Sequence, residues 1–321
     1  MAANQRIDVQ HHILPQPYLE AVGREALART LVSGRCPDWT PDTSLTAMDR
    51  HGIDRAILSL AAPGYHFDDP TAAAELARRC NDFSAALCRD HPARFGFFAT
   101  LPLPHVDAAL EELARVHRDL PADGVVLLTN YDGLYLGDPA LDPVLDEVDR
   151  LGLVAFVHPA DLPPGRPLPH IPAATLEFPF DTTRAITNLV FSGSMTRLRR
   201  LRFIFSHAGG TLPLLADRIG RLHRRPEFAE KAPDGFIAEI RRHYYDIALS
   251  AGPRTLQPLL DTVPVEQVLF ASDFPHAGED TMAGTIKALH GQRLSAATLQ
   301  AIEGGNAGRL FGTARAEPAT G

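Results

Sequence analysis

The chain has 321 residues and a mass of 34.9 kDa, too long for a small stapled domain and suited to two ordinary domains or one large α/β barrel. A net charge of −8 and a pI near 5.9 exclude the basic face that nucleic-acid binding requires. No apolar run approaches the roughly 20 residues needed to cross a bilayer, and Met1 to Arg6 contains no apolar signal core, so a cytoplasmic protein is expected.

Read in order, the sequence alternates short apolar, β-branched or aromatic runs with helical stretches. The runs are Ile7–His12, Arg55–Ala61, Arg94–Leu101, Gly124–Thr129, Leu153–His158, Arg202–His207, Tyr244–Leu249 and Val268–Asp273. Between them, Thr71–Asp90 carries Leu76, Cys80, Phe83 and Leu87 at helical spacing. In Val106–Leu120 the apolar stripe is Ala109, Leu110, Leu113 and Val116, with Glu111, Glu112, Arg115 and Arg118 on the wet side. Eight strands alternating with helices predict one (β/α)8 barrel over residues 1–312, with a short flexible tail at 313–321. An open doubly wound sheet would require a glycine-rich phosphate turn after the first strand, and His11-His12-Ile13-Leu14-Pro15 is not one. The Pro-rich stretch Pro159–Pro179 reads as the longest loop, placed after the fifth strand as a lid or substrate wall. Cys36, Cys80 and Cys88 lack metal-type spacing, and the last two read as small core residues.

Barrel enzymes keep their chemistry at the C-terminal ends of the strands. Here strand one ends in Gln10-His11-His12, strand five in His158, strand six in His207 and strand eight in Asp273. Gln10 and His12, two apart, share one side of the strand, and His11 faces the other way. A carboxylate and several imidazoles converging on one mouth predict a divalent-metal site with an open position.

The strand-end pattern, together with Ile7-Asp8-Val9, Leu45-Thr46-Ala47-Met48-Asp49, His207-Ala208-Gly209-Gly210, Leu269-Phe270-Ala271-Ser272-Asp273-Phe274-Pro275 and Asn306–Gly312, resembles the amidohydrolase superfamily over nearly the whole chain. The resemblance is to its mononuclear branch typified by aminocarboxymuconate semialdehyde decarboxylase. Gly124–Asn130 and Glu177–Arg184 look closer still to 6-methylsalicylate decarboxylase-like members. It implies one divalent metal, Zn²⁺ first and Mn²⁺ second, held by Gln10, His12, His158 and Asp273. Binuclear members bridge their metals with a lysine at the end of strand four; that strand here ends in Leu128-Thr129-Asn130, and the only lysines are Lys231 and Lys287. The family's first strand reads His-x-His, and Gln10 takes the first place: it coordinates weakly, orients a metal-bound water, or marks weak metal affinity.

By the same resemblance the substrate is a small aromatic acid of salicylate type. Asp273 is metal ligand and proton carrier, and His207 is its acid/base partner. Burial should raise the Asp273 pKa and metal attraction lower it. Arg218, eleven residues after His207, corresponds to an arginine that holds a substrate carboxylate across a homodimer interface; a plain surface arginine is the other reading. Asn130, Tyr131, Phe180 and Trp39 are candidate substrate walls, with His66, Arg35 and Arg184 as further mouth residues and His276 as a loop histidine. Decarboxylation leads. Hydrolysis of a lactone, ester or amide on the same site comes second, and a metal-free binding protein third.

Overall fold

The computed structural model describes residues 5–64, 68–160, 168 and 170–312. Eight parallel strands follow one another in a single sheet: β1 (Ile7–His12), β2 (Arg55–Ser59), β3 (Phe95–Thr100), β4 (Gly124–Leu128), β5 (Val154–His158), β6 (Arg202–Phe205), β7 (Tyr244–Asp246) and β8 (Val268–Leu269). The ring closes where Val9 N–H donates to Phe270 O at 3.1 Å, Asp273 N–H to Gln10 O at 3.0 Å and His12 N–H to Phe274 O at 2.7 Å. The result is the expected (β/α)8 barrel. One principal helix follows each strand: α1 (Pro41–His51), α2 (Pro70–Asp90), α3 (Val106–Asp119), α4 (Asp142–Leu151), α5 (Ala173–Phe191), α6 (Leu212–Gly220), α7 (Pro253–Thr262) and α8 (Glu279–His290).

Local chemistry sets these boundaries. Before α1, the side chains of Thr40 and Thr43 each accept the other's backbone N–H, Pro41 opens the helix, and Gly52 closes it in the left-handed region at φ 62°. Asp69 caps α2 by accepting Thr71 N–H at 2.9 Å. The α3 stripe packs as expected with one exception. Glu112, read as a wet-side residue, is buried and accepts from Asn81 Nδ2 at 2.7 Å, so its acid end is satisfied inside.

Two apolar layers form the core. Inside the barrel Val9, Ile57, Phe98, Val126, Phe156, Ile204 and Leu269 are buried, while a larger cluster fills the space between strands and helices. Each such buried side chain contributes about 1.5–3 kcal/mol relative to exposure. Filling the barrel from below leaves the polar ends of the strands as its upper mouth.

Two sequence expectations are corrected. The stretch 159–179 is not one long loop, because α5 begins at Ala173 and holds Pro179 as its seventh residue. Pro179 removes one backbone N–H from the helix interior, and nearby the Thr182 and Thr183 hydroxyls donate to Phe178 O and Pro179 O. Phe180 and Arg184 therefore ride on a helix. Strands six to eight also end earlier than their apolar runs suggest. His207, Ala208, Leu249 and Asp273 have φ of 54°, 59°, 56° and 64°, a left-handed conformation that no ladder accommodates. His66, residues 161–167 and 169, and the tail 313–321 lie outside the described residues.

Candidate metal centre and active site

The site begins with an irregularity in β1. Asp8 pairs with Ala56 and His11 with Leu58, so three steps on β1 oppose two on β2. This bulge turns Gln10 into the mouth beside His12, while His11 faces away and binds Asp8 Oδ2 at 2.9 Å and Ser44 Oγ at 2.9 Å. Asp8 also accepts from Ser272 N–H at 3.0 Å, tying β1 to the segment that carries Asp273.

Five sequence-predicted residues meet at one point. His12 Nε2 lies 2.9 Å from Asp273 Oδ1, and one ligand atom each from His12, His158 and Asp273 lie within 4.8 Å of one another. Gln10 Nε2 approaches Asp273 Oδ1 at 2.7 Å, His207 Nε2 at 3.2 Å and His12 Nε2 at 3.3 Å. His207 Nε2 stands 3.8 Å from Asp273 Oδ2.

These residues fit a divalent cation. His12 Nδ1 is engaged by Ser59 Oγ at 3.0 Å and His158 Nδ1 by Pro159 O at 2.8 Å, which leaves each Nε2 lone pair for the cluster. Ligating histidines are oriented in this manner. Gln10 Oε1 is buried without a hydrogen-bond partner, an expense a protein seldom bears unless the atom has another use. Half a turn of the carboxamide exchanges Oε1 and Nε2 and presents the oxygen to the three donors.

The electrostatics favour ligand-competent forms. Burial, reinforced by His12 and His207, pushes His158 well below the usual imidazole range and keeps it neutral. Burial alone would raise Asp273, but its hydrogen bonds to His12 and His207 dominate and hold the carboxyl well below the carboxylate range. Burial would likewise lower His207, and the nearby Asp273 carboxylate outweighs it, raising His207 above its ordinary value. Of the two, Asp273 is thus shifted toward its ionised form and His207 toward its protonated one.

A cavity of about 740 Å³ opens above this cluster. Its walls differ from those expected. His158, His207 and Asp273 form the floor, Phe178 and Pro179 one side, Thr30–Ser33 another, and His276 stacks on His12 at 4.6 Å between ring centroids. Asn130 instead donates to Asp181 Oδ2 at 3.1 Å and anchors β4 to α5. The Tyr131 hydroxyl accepts Leu128 N–H at 3.1 Å and lines a separate small pocket. Trp39 Nε1 donates to Ser44 Oγ at 2.8 Å, outside the cavity, and Arg35 does not line it either. Phe180 and Arg184 face a different cavity on the far side of α5. Arg218 is exposed on α6 and does not reach the cavity of its own chain.

Phe178 and Pro179 fall in the stretch read from sequence as a substrate wall, whereas His276 is read as a loop histidine and Arg254 is not singled out. Arg254 is the only arginine or lysine among the described lining residues. His276 had a usable signal, an imidazole three residues beyond Asp273.

The Amidohydrolase family model matches residues 7–313. The chain is 36% identical over 301 residues to decarboxylase yanB of Aspergillus niger, covering 89% of this chain and 81% of that one. It is 34% identical to the 6-methylsalicylic acid decarboxylase of Penicillium expansum, covering 95% and 96%. Among solved structures it superposes with a TM-score of 0.81, at 27% identity and 98% coverage of both chains, on a dihydroxybenzoic acid decarboxylase from Polaromonas sp. JS666 with bound manganese and the inhibitor 2-nitroresorcinol.

Proposed function

We propose that this chain, which belongs to the amidohydrolase family, is a metal-dependent, non-oxidative decarboxylase of a small aromatic acid of salicylate type. The observation that carries the reading is the convergence of His12, His158 and Asp273 beneath a cavity with largely apolar walls, in a chain whose similar proteins are aromatic-acid decarboxylases.

His12, His158 and Asp273 are the residues to hold the cation, with Gln10 as a neutral fourth donor. A bound divalent metal supplies Lewis-acid polarisation and an anchor for the substrate's carboxylate and ortho-hydroxyl oxygens. Two imidazoles with one carboxylate suit zinc, and manganese is the metal of the Polaromonas relative. The reaction needs one proton delivered to the ring carbon that bears the carboxylate. That C–C bond then breaks, its electron pair returns to the ring, and CO2 leaves. His207 stores the proton, and Asp273, ionised at rest, passes it to the ring carbon. Phe178 and His276 flank the ring, and Arg254 gives the cavity a cation that attracts an anionic substrate.

A second copy of the chain is proposed to complete the site. Leu214 is 73% exposed at the cavity rim, and Arg218, also exposed, lies one turn further along the same face of α6, outside the lining of its own cavity. Losing a charge-assisted contact to a carboxylate costs about 1.5–3 kcal/mol, so Arg218→Ala is expected to raise KM by about 10–100-fold with kcat little changed. Mixing Arg218→Ala with Asp273→Asn subunits should restore activity, because one site of each mixed dimer then has both residues. Failure of the mixture to recover would remove the cross-subunit role.

The direct test is incubation of metal-loaded protein with salicylates and resorcylates, measuring CO2 and the corresponding phenol. Stoichiometric release of both is the expected result. Turnover of lactones or esters without CO2 from any aromatic acid would replace this reading with hydrolysis.

A further inference from the structure

Asp246, at the end of β7, is fully buried, although no sequence motif singled it out. Tyr244 and Ala248 belong to the interior cluster and Tyr245 to the outer one, so alternation turns Asp246 into the barrel. A carboxyl there is costly unless it has a task. Its Oδ1 accepts two backbone N–H groups, from His207 and from Ala248, each at 3.0 Å. Its Oδ2 is buried without a partner.

The residue it grips is under strain. His207 and Ala208 both hold left-handed backbone, at φ 54° and 59°, a conformation that costs a non-glycine residue about 1–3 kcal/mol. That strain persists only where the surroundings over-determine it. The same turn decides where the His207 ring sits, 3.8 Å from Asp273 and 3.2 Å from Gln10. We infer that Asp246 is a positioning residue for the reaction, its Oδ1 clamping the His207–Ala208 turn so that the His207 imidazole stays within reach of Asp273.

The clamp requires an acceptor oxygen and not a charge. Burial pushes the Asp246 carboxyl up to about 7, so the protein itself disfavours the ionised form. An asparagine keeps one oxygen for both N–H groups.

The test compares Asp246→Ala with Asp246→Asn in metal-loaded protein. Displacing a catalytic group by about 1 Å costs on the order of 100-fold. Asp246→Ala should lose about that much kcat with KM and metal content unchanged, whereas Asp246→Asn should stay near the wild-type value. The kinetic arm rests on the decarboxylase reading. The second arm does not: the ring resonances of His207, assigned by their loss in His207→Gln, should match wild type in Asp246→Asn and shift or broaden in Asp246→Ala. Wild-type kcat in Asp246→Ala, or a loss in Asp246→Asn as deep as in Asp246→Ala, would overturn the inference. If Asp246→Ala does not fold, Asp246→Asn decides alone: unchanged His207 resonances and kcat support the clamp, and a large change in either rejects it. Wild-type protein inactive on every aromatic acid would sink the decarboxylase reading while leaving the resonance test standing.

Discussion

Asp273→Asn is expected to lower turnover by about 10²–10⁴-fold, the range for losing a general acid–base group, and to lower metal content as well. The amide cannot carry the proton, and it offers the cluster a neutral oxygen in place of the carboxylate that His12 contacts at 2.9 Å. His207→Gln separates the two roles. His207 lies outside the three-donor group, so this variant should lose turnover to a similar degree while retaining metal. Turnover and metal content by elemental analysis check both variants together. Full activity in Asp273→Asn would sink the proton-carrier role, and metal loss in His207→Gln would show that His207 is itself a ligand.

The second large effect concerns the metal. Protein purified without chelators or a histidine tag is expected to carry about one zinc or manganese per chain, the usual load of a three-ligand catalytic site. His12→Ala and His158→Ala should each empty the site, because removing one imidazole leaves one imidazole, one carboxylate and the weak, neutral Gln10 donor. Ser59→Ala is the graded control. It touches only His12 Nδ1, at 3.0 Å, and changes of that outer kind typically cost about 10–100-fold in affinity. Chelation should also lower the melting temperature, since a cation bound only to the folded state stabilises it by mass action. No metal after reconstitution with zinc and manganese would leave the buried Gln10 Oε1 without purpose and remove the mechanism.

Much of this was readable from residue order, and the boundary of what was readable has a physical meaning. Strands announce themselves through two-residue alternation and β-branched runs, so the positions of Gln10, His12, His158, His207 and Asp273 at strand ends could be assigned locally. The left-handed backbone at His207 and Asp273 could not, because neither residue is a glycine. They are held by distant partners, Asp246 for the first and the Gln10 carbonyl for the second. The walls were the weakest part. Tyr131 and Phe180 are aromatic and near the mouth in sequence, yet on α5 Phe178 faces the cavity and Phe180, two residues on, faces the opposite side.

By itself, then, the sequence determined the barrel, its eight strands and the residues able to hold a metal, since each depends on period and spacing within a few neighbours. The tertiary structure alone decided that β1 carries a bulge, that Pro179 lies within a helix, and that His276 and Arg254 join Phe178 around the cavity. Those outcomes depend on packing between segments far apart in the chain, where the burial of one face, and not the preference of any single residue, selects the conformation.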